Sequence, residues 1–435
     1  MTVPKLGPYR LTWAIFLVGS FCEVQLAGQD LPTAKPEDVG VSSTKVEELS
    51  TFMQSLVDQG KIAGGVTMMA RHGKVVHLKA VGMADREEKK PMQTDAIFRI
   101  ASMTKPITSV AILMLWEDGK LDLDDPVSKY IPEFKNPQVL ITADPLKTVP
   151  AKREITILDL LTHTSGLSFN SDNKLGPIYE KNGIHCGLSP SQLNLKELMK
   201  KLAVMPILFH PGDRWNYSMS TDVLGRVVEV VSGVTLDRFV ESRICHPLGM
   251  NDTFFMVPPE KRHRLVAAYL PAGDGIRKMG INETITFDAG GPVPLSCNYC
   301  FAESNSYLSG GGGLCSTASD YWRFCQMLLN GGESNNTRLL RPETVRTMTT
   351  SQPGDWQCFN MPDRMRLGVG ILPDKEGVHD QLRGAYAWSG FWSTSFRISP
   401  RGKWVVIALS QLAPNGVAPQ WFVRYETLAA EAIER

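Results

Sequence analysis

The sequence has almost no surplus of one charge: its 435 residues carry 46 Lys and Arg against 45 Asp and Glu, a formal net charge of +1. A protein that neutralises a phosphate backbone needs a basic face, so nucleic acid is excluded as the expected partner. The apolar run from Leu11 to Cys22 falls short of the roughly 20 residues a membrane helix requires. It follows Lys5 and Arg10, is ended by Glu23, and is trailed by the small residues Ala27 and Gly28. This pattern predicts a signal peptide over 1–28, export to the periplasm or medium, and no stable membrane span once the peptide is removed. Internal repeats and low-complexity tracts are lacking. With 43% hydrophobic and 21% charged residues, the composition excludes global disorder. A regular cysteine framework is lacking too. Without Cys22 seven cysteines remain, an odd number without even spacing. Cys297-x-x-Cys300 has no second pair and no histidine at ligand spacing, which favours a local disulfide or two thiols over zinc.

The familiar catalytic signatures are also missing. There is no G-x-S-x-G, no H-E-x-x-H, no phosphate-binding G-x-x-x-x-G-K-[ST], and no G-x-G-x-x-G between a strand and a helix. What is present is S-x-x-K, three times: Ser42 with Lys45, Ser102 with Lys105, and Ser171 with Lys174. Roughly two such matches are expected by chance, so context must decide. Ser42 precedes an expected capping box, Thr44-x-x-Glu47, and so lies outside the helix it would need. Ser171 sits in a polar loop. Ser102 instead follows the apolar run Ile97 to Ile100 and opens a helix whose buried stripe is Ile107, Val110, Ala111, Met114 and Leu115. There an i, i+3 spacing sets hydroxyl and ammonium on one face, and the helix N-terminus favours developing negative charge. A serine so placed suits nucleophilic catalysis, with Lys105 handling protons and the serine N–H facing an oxyanion.

Strand patterns gather at the two ends of the chain. Val66–Arg71 and Val75–Val81 flank His72-Gly73 as a hairpin, and Trp392–Ile398 and Trp404–Leu409 flank Pro400-Arg401-Gly402 as another. Helical periodicity fills residues 46–57 and 421–433 and most of the middle. The expected architecture is α/β plus all-α: one antiparallel sheet flanked by helices, built from 36–101 and 309–435, with a mainly helical domain inserted at 102–308. A cleft follows where insert and sheet meet.

Ile100-Ala101-Ser102-Met103-Thr104-Lys105 resembles the first motif of the serine β-lactamase-related hydrolases, which include class C β-lactamases, DD-peptidases and family VIII carboxylesterases. Leu160-Leu161-Thr162-His163-Thr164-Ser165-Gly166-Leu167, Trp215-Asn216-Tyr217-Ser218 and Gly310–Gly313 with Leu314, Ser316 and Thr317 resemble further motifs of that family, in order. The resemblance implies a β-lactamase/penicillin-binding-protein-like fold with Ser102, Lys105 and Tyr217 as the catalytic set. A phenol is a poor base at neutral pH, but an ammonium within a few ångströms favours its anion. The resemblance also makes the backbone N–H groups of Ser102 and Phe391 the oxyanion hole. It treats His163 as an anchor in a structural loop. The four glycines Gly310–Gly313 have no following lysine, which disfavours a phosphate cradle and points to tight backbone packing.

Departures from the family pattern sharpen the expectation. Met219 stands where β-lactamases carry the asparagine of Y-x-N, and Trp388-Ser389-Gly390 stands for K-T-G. The amide and the cation that would hold a β-lactam are replaced by apolar surface, as in the carboxylesterase branch. Met219, Trp388, Ser389 and Gly390 are therefore the expected substrate-binding residues, and no metal or cofactor is called for. The expected function is an exported serine hydrolase that cleaves small or medium esters. Amide chemistry is the alternative: a DD-peptidase, a D-aminopeptidase or a weak class C-type β-lactamase. A non-catalytic acyl-binding sensor and a transacylase are further alternatives.

Overall fold

The computed structural model describes residues 31–286, 291–334, 336–352, 354–359, 362–414 and 418–434. The expected signal peptide at 1–28 lies outside them. No helix among the described residues is long and apolar enough to cross a membrane.

Two turns drive the sheet. His72, with φ 52°, and Gly73, with φ 74°, reverse the chain between β1 (Gly64–Arg71) and β2 (Lys74–Asp85), as a two-residue hairpin requires. A short β3 (Lys90–Pro91) follows β2 at one edge of the sheet. After β4 (Phe98–Arg99) and β5 (Cys315–Ser316), which pair with each other, the chain returns to the main sheet. It does so as β6 (Arg364–Met365), β7 (Gly370–Ile371), β8 (Tyr386–Gly390), β9 (Thr394–Ser399) and β10 (Trp404–Leu409). The order β6-β7-β8-β9-β10-β1-β2-β3 is antiparallel throughout, with Val66 opposite Leu409 and Arg71 opposite Trp404. Strands from both ends of the chain thus share one sheet.

Both sheet faces are covered, so β9 and β10 are buried at every position and show no polar alternation. Met69, Trp404, Val406 and Ala408 pack under α1 (Ser43–Asp58) and the C-terminal helix. Met68, Phe396, Ile398, Val405 and Ile407 face the larger core on the other side. That core holds α2 (Thr104–Glu117), α3 (Ser220–Ser232) and α4 (Ala318–Leu329). Every residue of α2 from Thr104 to Leu115 is buried, so it is a core helix without a solvent face.

Two expectations are corrected. The cap of α1 is Ser42, whose Oγ accepts the Lys45 N–H, and not Thr44 with Glu47. Thr44 already lies inside the helix, so it is not the flanking residue with extended backbone that a cap requires. The middle of the chain is less purely helical than its periodicity implies: hairpins form at Gln138–Ala143 with Leu146–Pro150, Tyr269–Ala272 with Gly275–Lys278, and Asn282–Thr286 with Pro292–Ser296. These strands are at most six residues long, and Leu146–Pro150 and Asn282–Thr286 in particular are largely exposed, so they carry little of the pattern that marks a core strand. Of the two arrangements expected for Cys297 and Cys300, the structure has the thiols: both are free, as are the other five described cysteines.

Candidate active site

The chain turns sharply from strand to helix at Ala101, whose φ of 41° is a conformation a residue with a Cβ rarely adopts. That turn places Ser102 in a single 3₁₀ turn directly ahead of α2. Pro106 fits because its missing N–H falls among the first-turn donors that have no intrahelical partner. The start of α2 is tied to the glycine-rich segment and to α4: Thr108 Oγ1 donates to Gly310 O at 2.8 Å, Leu314 N donates to Thr104 Oγ1 at 3.1 Å, and Tyr321 Oη donates to Met103 O at 2.8 Å.

Two groups converge on the serine. Tyr217 Oη lies 2.7 Å from Ser102 Oγ, and Lys105 Nζ lies 3.1 Å from the same atom. Lys105 is buried, and its Nζ also donates to Gly311 O at 2.6 Å and lies 4.7 Å from the centre of the Tyr217 ring. The ammonium therefore bridges the nucleophile, the phenol ring and the glycine-rich backbone.

Tyr217 is held by the loop before α3. Asn216 N donates to His163 O at 2.9 Å and Asn216 Nδ2 to Leu167 O at 2.8 Å, pinning the Trp215–Ser218 stretch to the 160–167 motif. The His163 ring sits 4.9 Å from the Tyr217 ring, with its Nδ1 3.3 Å from Ser218 Oγ. Burial, reinforced by the Lys105 charge, pushes the His163 pKa well below the usual imidazole value, so the ring is neutral. His163 packs beside the phenol and makes no hydrogen bond to Ser102; its place is that of an anchor.

Asp222 is a site residue that sequence reasoning missed. It lies buried on α3 and accepts from Tyr307 Oη at 2.8 Å, Ser309 Oγ at 2.6 Å and Gly311 N at 3.3 Å. The Gly311 residue thus gives its N–H to Asp222 and its carbonyl to Lys105. A Cβ there would fall 2.6 Å from Asp222 Oδ2 and 3.4 Å from Lys105 Nζ, so only glycine fits. The available signal was an acid among the apolar positions Val223, Leu224, Val227 and Val228, but an acid in a helix's first turn is ordinarily read as a partner of the helix dipole.

On the sheet side, Trp388 and Gly390 end β8. A Cβ on Gly390 would lie 2.3 Å from Ile100 O and 2.2 Å from Thr394 Oγ1, so the strand end touches the turn that carries Ser102. Phe391 follows in the β8–β9 connection, and Ser389 is half-buried, opposite Ser395. The Trp388 ring lies 5.8 Å from that of Tyr217. Met219 does not join them. Placed by motif at a substrate-binding position, it is 0% exposed, at the N-cap of α3, with its side chain in the main core. Packing of the α3 N-terminus against that core draws it inward.

Phe359 and Phe169, which no motif marks, complete an aromatic surround: their rings lie 5.1 and 5.2 Å from the Tyr217 ring. Trp215 stacks on Tyr217 at 6.2 Å. A hydroxyl between an ammonium and a phenol, at a helix start and in apolar surroundings, is equipped for acyl transfer through a covalent intermediate. Among the described residues no three His, Cys, Asp or Glu side chains group as metal ligands.

The family model described as Beta-lactamase matches residues 49–427. Esterase EstB of Burkholderia gladioli is 36% identical over 297 residues, which cover 67% of this chain and 71% of EstB. A Salmonella typhimurium protein with the provisional name D-alanyl-D-alanine carboxypeptidase is 29% identical over 430 residues, 94% of this chain and 92% of its own. Among solved structures, EstCE1, described as a hydrolase with promiscuous acyltransferase activity, matches with a TM-score of 0.78 at 29% identity, covering 90% of this chain and 99% of its own.

Proposed function

The chain belongs to the β-lactamase family of serine hydrolases, and from that premise we propose that it is an exported carboxylesterase working through an acyl intermediate on Ser102. The observation that carries this reading is the contact of Ser102 Oγ with Tyr217 Oη at 2.7 Å, beside Trp388 where β-lactamases hold a lysine. As Ser102 Oγ bonds to the ester carbonyl carbon, its proton passes into the Tyr217–Lys105 pair. The N–H groups of Ser102 and Phe391 receive the oxyanion. Collapse breaks the ester C–O bond, and Tyr217 delivers the proton to the departing alcohol. Water then enters by the same route in reverse and releases the acid.

An apolar indole in place of a cation favours an uncharged ester over a β-lactam or a peptide carboxylate. The test compares kcat/KM for p-nitrophenyl butyrate with that for a chromogenic cephalosporin, and maps the acyl adduct by mass spectrometry. Faster ester turnover with the adduct on Ser102, both lost in Ser102→Ala, supports the reading. Faster cephalosporin turnover replaces it with amide chemistry of the D-peptidase or β-lactamase kind. An adduct that never releases acid replaces it with a sensor. Acyl transfer to an added alcohol is the second reading, favoured by the structural match to EstCE1, and product analysis with and without that alcohol separates it from hydrolysis.

A further inference from the structure

Phe359 is large, apolar and 51% exposed, yet it lies one ring from the nucleophile's proton partner. Its φ of 50° is a backbone conformation that bulky residues seldom take, and it lays the ring edge-on to Trp215 at 4.9 Å and to Tyr217 at 5.1 Å, with Trp388 6.4 Å away. The ring thus continues a cluster of three others out to the surface and offers apolar contact area beside Tyr217.

The direction of proton return says which half of an ester meets it. Tyr217 delivers its proton to the leaving alcohol, so that oxygen must come within hydrogen-bond reach of Tyr217 Oη. The substituent on the same oxygen then lies among the rings around Tyr217, of which Phe359 is exposed and Phe169 and Trp215 are half-buried, and Phe359 sits directly against Trp215. We propose that Phe359 and Trp215 form the alcohol subsite, and that it selects esters of flat, apolar alcohols such as phenols and naphthols over esters of small alcohols. This rests on the reading of Tyr217 as proton donor to the leaving group.

The experiment uses one acyl group and two alcohols. 2-Naphthyl acetate and methyl acetate give the same acetyl-enzyme, so the ratio of their kcat/KM values reports the alcohol side alone. In Phe359→Ala that ratio falls by about tenfold, and in Phe359→Leu, which keeps bulk but loses the ring, by a smaller factor. An unchanged ratio overturns the proposal, including the case in which both esters slow equally. A change instead in the methyl octanoate to methyl acetate ratio, at constant alcohol ratio, assigns Phe359 to the acyl side and overturns it as well. Failure of the underlying reading is distinct: Tyr217→Phe would then leave kcat/KM for both esters unchanged, whatever the ratio does in the Phe359 variants.

Discussion

Gly390→Ala is the sharpest test of how the sheet positions the nucleophile. The added Cβ would lie 2.3 Å from Ile100 O, about 1.1 Å inside ordinary contact, and 2.2 Å from Thr394 Oγ1. Neither atom yields easily. Ile100 O already accepts from Met103 N at 3.0 Å and from Thr394 Oγ1 at 3.2 Å, and Ile100 and Thr394 are both buried. The strand end must move away from the turn by about 1 Å, carrying the Phe391 N–H with it. A misplacement of that size costs about 10²-fold in rate, and loss of one oxyanion donor about 10²–10³-fold. Overpacking should cost about 1–3 kcal/mol in stability. The expected outcome is a protein that still folds, with kcat for ester hydrolysis down at least 10²-fold, read beside a urea unfolding curve. A variant with kcat within threefold of wild type would show that β8 and Ser102 are not rigidly coupled, and would sink the assignment of Phe391 to the oxyanion hole.

Tyr217→Phe keeps the ring packing with His163, Trp215 and Phe359 but removes the oxygen 2.7 Å from Ser102; kcat should fall by about 10²–10⁴ with little change in thermal stability. If activity survives in that variant, Lys105 acts alone on the serine proton. Burial lowers the His77 pKa to about 4, with its Nε2 2.9 Å from Thr67 Oγ1. The folded state therefore binds its proton less readily than the unfolded state. Its contribution is complete above pH 6.5 and lost as pH falls through about 4, up to roughly 3 kcal/mol. Urea unfolding at pH 7 and pH 4.5 should show less loss in His77→Gln than in wild type, and equal losses would refute the reasoning. Arg397, buried between Asp363 at 3.2 Å and Glu426 at 2.6 Å, is the cation for two buried carboxylates. Arg397→Met should cost about 3–5 kcal/mol, since it strands both acids, and a cost below 1 kcal/mol would contradict that.

What could be read from the sequence was whatever depends on neighbours in the chain. The two end hairpins are written in apolar runs with a turn between them, and the Ser102 helix in an apolar stripe opened by a small polar residue; each appears where its pattern predicts. The α1 cap was misread because Ser42 and Thr44 both satisfy capping chemistry, and only the backbone, still extended at Ser42, decides between them. Met219 was misplaced for a related reason: a motif fixes the position of a residue along the chain but not which way its side chain points once the helix beneath it packs.

The remaining site residues were illegible because no local pattern specifies them. Asp222 matters through Gly311, 89 positions away, and Phe359 through Tyr217, in another segment altogether. Motif resemblance could bring Tyr217 to Ser102, since both stand in recognisable stretches. It could not find what holds Lys105 in place. That is done by one residue through its two flanking peptide groups: the Gly311 carbonyl accepts from the ammonium, its N–H donates to the Asp222 carboxylate, and its lack of a side chain is what allows both. A buried lysine is costly unless its charge is answered, and here the answer comes through backbone dipoles aligned between cation and anion. The glycine run, legible only as tight packing, is thus also the electrostatic support of Lys105, the residue proposed to share the serine's proton with Tyr217.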